Sequence, residues 1–573
     1  MCTILWGWAF CPVEYLDDKL VLYRWQNKGV FIMAKAGKSS IKRRPATTNV
    51  YMIGSGIGSL AAAIYLIRDA RVPGKNIKIF ESLDVDGGSL DGAGDAKRGY
   101  MIRGGRMLNI PTYECLQDVM TEIPSIEFDD ISLEEEFLEY NQEFKTHSRA
   151  RLVDKNGGKV DVTQMGFSPD DRMDMEKLIL METEKSLGAK RIDEVFGPHF
   201  FKTNFWFMWQ TTFAFQPWSS AAELRRYMIR FMHEFPRIHT LAGVARTAYN
   251  QHDSIVKPMV DWLRGQGVQI ILGARVTDIL FDQNKKGENL ATKIEYVQRG
   301  KKHTINVAPT DIVTFTNGCM TDNSDEASTD TVAKYNTAQT APSFELWKKI
   351  ANGRPEFGDP DVFCSRPDES MWMSFTVTIN NNPKLFEYIQ RFTRNHPGGG
   401  ALVTFKDSAW RLSFVVARQP HFKNQPMDTQ IFWGYALNMF VDGDYVKKPM
   451  YKCTGREIMT ELMGQLHIPK RDQAEMMRGV ICRTSIMPYI TSQFQPRKIG
   501  DRPLVIPQGY ENFAFISQFA EVPDDVVFTM EYSVRAAQRA VYYLMGVDKD
   551  LTPISKHQYS PRTLLKSFLK LHS

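Results

Sequence analysis

Residues whose types and spacing could do chemistry first appear at Gly54-Ser55-Gly56-Ile57-Gly58-Ser59, between an apolar run at 49–53 and a helical pattern over 60–70. A second apolar run, 77–80, ends at Glu81. Strand, glycine-rich turn, helix, strand and acidic residue is the order of a dinucleotide-binding βαβ unit. Gly54 suits the tight turn, and Gly56 lets the backbone come close to a pyrophosphate. Free amides at the helix start, with the positive end of its dipole, would face those phosphates. Glu81 would accept hydrogen bonds from a ribose. Two features depart from the fingerprint: Ser59 stands where its third glycine falls, and Glu81 comes 27 residues after Gly54. The alternative is a glycine-rich turn in some other α/β fold. Asp86-Gly87-Gly88-Ser89 and Arg103-Gly104-Gly105-Arg106 follow closely. Glycine pairs and arginines there favour a flavin over a nicotinamide, because backbone and guanidinium must pack close to pyrophosphate and ring.

The elements that must position these residues are spread along 573 residues, too long for one ordinary core. Hydrophobic content of 43% and charged content of 24% are those of a globular protein. A net charge of +5 over this length argues against a nucleic-acid partner, which needs a concentrated basic face. Seven scattered cysteines argue for a reducing compartment, without a disulfide framework or a metal site. No run reaches the roughly 18–20 apolar residues of a membrane span, and no HExxH or GxSxG motif occurs. The reading is therefore a cytoplasmic protein. Residues 1–47 read as an N-terminal extension without fixed structure, with Met33 a candidate start.

Further along, nine aromatics lie between Phe200 and Trp218. They form either a dense core or the wall of a long apolar cavity. Residues 219–235 read as a helix capped by Ser219 or Ser220, with Glu223 in capping-box position. On pattern alone Tyr227 is a packed core residue of that helix, and His421 a surface or core histidine. Residues 268–272, 276–281, 311–316 and 512–518 read as strands returning to the cofactor domain, and 527–545 as a long helix. In the tail, Leu564, Leu565, Phe568 and Leu569 share one helical side with Arg562, Lys566 and Lys570 beside them. Such a helix lies on an anionic membrane surface, or docks on its own chain or a sister subunit.

From residue 49 to the C-terminus the chain resembles the fatty-acid (oleate) hydratases, once called myosin-cross-reactive antigens. Arg103-Gly104-Gly105-Arg106, Thr212-Phe213-Ala214-Phe215, Arg225-Arg226-Tyr227, Tyr249-Asn250-Gln251, Arg418-Gln419-Pro420-His421-Phe422 and residues 522–529 carry the resemblance. It implies an FAD-dependent enzyme adding water across the cis-9 double bond of oleate to give 10-hydroxystearate, with no net electron transfer. It implies Tyr227 as the acid that protonates the alkene. It places a water-activating glutamate directly after Arg-Gly-Gly-Arg, where this chain has Met107, as in one branch of the family. It further implies Gln251 and His421 at the substrate carboxylate, whereas Val415 and Ala417 replace an expected Thr and Asn. Contacts to the cofactor fall on Gly54, Gly56, Gly58, Ser59, Glu81, Gly87, Gly88, Ser89, Arg103, Gly105, Arg106, Val276 and Phe528. A dimer is the family's default, and a monomer the alternative.

The expected architecture is α/β. A discontinuous Rossmann-like FAD domain takes residues 48–108, 250–335 and 482–548. An inserted α+β substrate domain takes 109–249 and 336–481, and 549–573 is a helical tail with a peripheral membrane contact. Two other functions fit the same residues: a flavin-dependent oxidoreductase acting on a lipid, and a non-catalytic lipid-binding protein.

Overall fold

The computed structural model describes residues 37–573 apart from Asp91, Arg106, residues 336–340, Gly400 and Ala401. Before residue 37 it gives only the backbone pairing of Leu22–Arg24 with Val30–Ile32. The proposed start at Met33 lies outside the described residues.

Five parallel strands form the first sheet, in the order Phe513–Phe515, Ile312–Phe315, Val50–Ile53, Ile77–Phe80 and Gln269–Ile271. Val50–Ile53 is buried at every position, as a strand covered by helices on both faces requires. The register aligns Phe515, Phe315, Ile53, Phe80 and Ile271, so all five strands end along one line. Chain order reverses beside Val50–Ile53, and the crevice at that switch point is where such sheets bind ligands. Helix Ile57–Arg68 runs from this crevice and packs against the long helix Met530–Met545. The α/β class and the Rossmann-like sheet agree with the sequence reading.

The second sheet has seven strands, ordered Asp325–Ala327, Val480–Met487, Trp372–Asn380, Thr429–Ala436, Ser413–Val415, Leu402–Phe405 and Leu152–Val153. Every pairing is antiparallel except the last. Asp325–Ala327 and Val480–Met487 pair in this sheet, although 250–335 and 482–548 were expected in the cofactor domain. Their short polar flanks give no signal of which sheet they join, because pairing partners are distant in sequence.

Residues 37–47 are not a loose leader. Ser39 and Ser40 bond the Glu511 carboxylate at 2.7 Å, and Arg43 donates to the carbonyls of Leu544, Glu511 and Thr310. A polar, basic stretch without periodicity looks disordered until distant acceptors are placed against it.

Helix Ile57–Arg68 lies so close to the sheet that a Cβ on Gly58 would sit 2.4 Å from the Ile516 carbonyl oxygen. Gly58→Ala should therefore destabilise the fold by about 1–3 kcal/mol through overpacking. Urea denaturation checks this, and an unchanged midpoint would contradict the close approach.

Candidate active site

A cleft of about 1250 Å³, its open mouth included, runs along the carboxyl ends of the parallel strands. Gly54, Gly56, Gly58, Glu81, Gly87, Gly88, Ser89, Val276 and Phe528 line it. Gly54 has φ +92°, and a Cβ there would collide with Thr316 Oγ1 at 1.9 Å, so only glycine makes this turn. Above Gly56, by contrast, a Cβ would meet nothing within 4 Å. That open space at a helix start is a fitting cradle for a pyrophosphate. The Glu81 carboxylate sits 6% exposed at the end of its strand, accepting from Ser55 N and Oγ and from Leu83 N. Its placement over the glycine turn suits a ribose.

Three expected cofactor residues, Ser59, Arg103 and Gly105, are not among those lining the cleft. Ser59 is fully buried and does not line the cleft, and the close helix–strand contact belongs to Gly58. Arg103 ties two walls together, donating to Gly88 O at 3.1 Å and Thr321 O at 3.3 Å. Gly105 lines a second chamber, with Trp433 3.5 Å from where its Cβ would be. Arg106 lies outside the described residues.

The second chamber, about 1070 Å³ with its mouth, adjoins the cleft and shares Phe528, Thr529 and Met530 with it. Trp209, Phe213, Tyr227, Phe231, Trp372 and Trp433 make its wall largely aromatic. Both readings of the 200–218 stretch hold in part: Trp209 and Phe213 face the chamber, while Phe200, Phe205 and Trp206 are buried core. Tyr227 is 1% exposed, its ring edge-on to Phe213 and Phe215 at 5.1 Å. Its hydroxyl donates to Val527 O at 2.5 Å. Burial, with Tyr113, Glu223 and Asp525 nearby, drives this phenol well above its ordinary range. It is a neutral donor throughout physiological pH.

Met107 lies in the same chamber. So does a carboxylate that the sequence reading missed, Glu234, in the turn after residues 221–230, where the helix has ended and no periodicity marks it. Glu234 pairs bidentately with Arg237 at 2.6 Å, accepts from Asn109 Nδ2 at 2.7 Å and meets His233 at 3.3 Å. A Cβ on Gly243 would lie 1.7 Å from this carboxylate, so the absent side chain makes room for it. Burial raises the Glu234 pKa, but His233 and Arg237 outweigh it and hold the group at about 2. Gln251 and His421 do not line the chamber. Gln251 donates to the Gly104 carbonyl at 3.0 Å, and the His421 backbone is bonded to Gln425 and Asn250.

Helix Ala221–Arg230 presents Tyr227. Ser220 caps it, but Glu223 does not close the expected capping box. Its carboxylate turns inward to Arg497 and Arg502 at 2.8 and 2.9 Å, because two buried guanidiniums attract it more strongly than one backbone amide. Below Tyr227, Arg230 and Arg535 both reach Asp525 and Glu114, and Arg535 also meets Glu531. This network fixes the turn Asp525–Thr529 against the tyrosine helix. Phe528 there has φ +67°, a conformation uncommon for a bulky residue, and Gln518 clamps its amide.

A glycine-turn cleft at the switch point of a parallel sheet, meeting an aromatic chamber, makes this a Rossmann-like α/β protein. The chain belongs to the MCRA family, matching it over residues 47–542. It is 39% identical to the oleate hydratase of Streptococcus pyogenes serotype M49 (strain NZ131) over 533 residues, 91% of this chain and 90% of that one. It is 36% identical to the linoleate hydratase of Lactiplantibacillus plantarum over 566 residues, covering 91% and 98%. An oxidoreductase from Methanosarcina mazei is similar in structure at a TM-score of 0.43 and 12% identity, covering 86% of this chain and 99% of that one.

Because folding depresses the Glu234 pKa, its ionised form stabilises the native state above the unfolded value of roughly 4.3. That contribution is lost as pH falls toward about 2. The stability advantage of wild type over Glu234→Gln should hold steady from about pH 5 to 7 and shrink below pH 4. Denaturant titrations across that range decide it; an advantage growing on acidification would refute the pairing.

Proposed function

We propose that this chain is a fatty-acid hydratase, adding water across the cis-9 double bond of oleate or a related unsaturated fatty acid to give a 10-hydroxy acid. The observation that carries this reading is Tyr227, a buried phenol in an apolar chamber that shares three residues with the cofactor cleft. The names of the two hydratase relatives support it. FAD suits the cleft, since the open face of Gly56, the Glu81 carboxylate and the Gly87–Ser89 turn offer a pyrophosphate cradle and a ribose partner. When bound, it would supply a flat wall and fixed charge at the chamber, and end the cycle unchanged.

The Tyr227 hydroxyl swings from the Val527 carbonyl to the alkene and gives its proton to one alkene carbon. Water oxygen bonds to the other carbon, and the proton it loses passes through solvent to restore the phenol. A buried tyrosinate is costly, so proton transfer and water attack are coupled. Met107 cannot take a proton from water. The ionised Glu234, oriented by Asn109 and Arg237, holds the attacking water, and with its low pKa acts as an acceptor rather than a strong base.

The tail helix Pro561–Leu571 packs on Phe235–Arg237, beside the chamber residue Arg237. Ser567 bonds the Met232 carbonyl and Leu571 is buried, yet Leu565, Phe568 and Leu569 are 55–60% exposed. Met173 and Leu180, on the face of helix Pro169–Leu180 that carries Glu176 to His572, extend the patch. This apolar stripe beside basic residues supports peripheral docking on an anionic membrane, from which an insoluble fatty acid could enter. Among the described residues no helix is long and apolar enough to cross a membrane.

With oleate in heavy-oxygen water, wild type should yield a product heavier by one labelled water, without consuming oxygen or reductant. Tyr227→Phe should lose at least about a hundredfold in kcat while still binding FAD, as loss of a general acid requires, and Glu234→Gln should lose about tenfold, the worth of one charge-assisted hydrogen bond to water. Retained activity in Tyr227→Phe would remove the tyrosine as acid, and unlabelled product the whole reading. Deleting residues 561–573 should weaken sedimentation with phosphatidylglycerol vesicles while sparing turnover of dispersed oleate; unchanged sedimentation would dispose of the membrane role.

A further inference from the structure

The carboxylate of Glu234 is gripped unevenly. Oε1 accepts from Asn109 Nδ2 at 2.7 Å and from Arg237 Nη2 at 2.6 Å, and His233 Nε2 lies 3.3 Å from it. Oε2 accepts from Arg237 Nε at 2.6 Å and from no other donor among the described residues. Each carboxylate oxygen has two lone pairs, so Oε1 is saturated while Oε2 keeps one for a water.

His233 is set to enforce that asymmetry. Its side chain is 10% exposed, and its Nε2 also meets Asn109 Oδ1 at 3.2 Å. Both neighbours of Nε2 are acceptors, so this nitrogen carries the hydrogen. Asn109 Oδ1 takes the Thr112 hydroxyl as well, at 2.7 Å, which leaves the amide nitrogen to face Glu234 and the Gly243 carbonyl. His233 thus reaches Oε1 directly and steadies the amide that reaches it from beside. Burial opposes the charge on Glu234, and the His233 contact is foremost among those that sustain it.

The ring itself is held by stacking. His233 Nδ1 is buried without a partner among the described residues, so no hydrogen bond orients that side. The His557 ring lies 4.6 Å away at a tilt of 41°. His557 is tied down in turn, donating from Nε2 to the Pro111 carbonyl at 3.1 Å. Arg230, from the helix that carries Tyr227, donates to the Thr112 and Ser555 carbonyls at 2.7 and 3.0 Å. The two imidazoles are therefore fastened to the stretch 109–112 and to the tyrosine helix.

We propose that His233, backed by the His557 ring, is a positioning residue for hydration: it fixes Glu234 Oε1 and Asn109 so that Oε2 is the oxygen that holds the attacking water. The inference rests on the hydratase reading and on Glu234 as the partner of that water. His233 touches neither substrate nor water and acts through Glu234.

A double-mutant cycle in the holoenzyme separates this role from packing. His233→Phe keeps a ring against His557 but removes the donor, and should lower kcat on oleate about three- to tenfold, the worth of one hydrogen bond. Affinity for stearate, which lacks the alkene, should stay unchanged. His233→Gln, which can return an amide donor to the Nε2 position, should recover most of the rate. In a Glu234→Gln background, adding His233→Phe should cost less than about a further twofold, because the two act as one unit. Wild-type turnover in His233→Phe, a loss confined to KM and stearate affinity, or a full additional loss on top of Glu234→Gln overturns the assignment. The urea midpoint gives a readout independent of turnover: the shift caused by Glu234→Gln should be smaller in the His233→Phe background than in wild type. Equal shifts overturn the contact even if oleate is hydrated. Unequal shifts in a protein that hydrates nothing keep the contact but sink the hydratase reading, and with it the part of His233 in the reaction.

Discussion

The arrangement depends on a buried ion network around Asp525. Arg230 and Arg535 bracket its carboxylate at 3.3 and 3.0 Å, and Glu114 and Glu531 complete the set. Arg230 belongs to the helix that carries Tyr227, and Asp525 leads into the turn whose Val527 carbonyl receives the tyrosine hydroxyl. The network therefore sets the position of the phenol relative to the wall shared by both cavities. It also holds the start of the tail, since Arg230 and Arg535 donate to the Ser555 and Thr552 carbonyls. Buried charges are expensive to assemble, but removing one partner strands the others and typically costs about 3–5 kcal/mol. Such a network acts as a geometric lock more than a source of stability.

Phe528 is where the two cavities meet, in a backbone conformation that costs on the order of 1–3 kcal/mol when a non-glycine residue adopts it. The Gln518 side chain secures it by accepting from the Phe528 amide and donating to the Thr529 carbonyl. Strain concentrated at the junction, and braced from two sides, is consistent with a wall that must present one fixed surface to cofactor and substrate.

Charge in the chamber is distributed unevenly. Glu234 is held ionised between Arg237, His233 and Asn109, and among the described residues it is the only carboxylate that lines the chamber.

The βαβ unit was legible because its requirements are local: Gly54, Gly56 and Glu81 lie within one supersecondary element, and backbone geometry dictates their types. Tyr227 was nameable only through family resemblance, since helical periodicity cannot tell a core phenol from a reactive one. Glu234 went unread because a single charged residue beyond a helix end is ordinary in sequence, and its meaning is set by what lies opposite. The roles of Ser59, Arg103 and Gly105 shifted for the same reason, by contacts of the helix with Ile516 and of the loops with Thr321 and Trp433. The sequence by itself determined the parallel sheet and its glycine turn, because hydrophobic period and φ/ψ limits act over a few residues. Which charges are paired, which are stranded, and which strands join which sheet were decided by tertiary structure alone, because burial and Coulomb energy depend on neighbours hundreds of residues away.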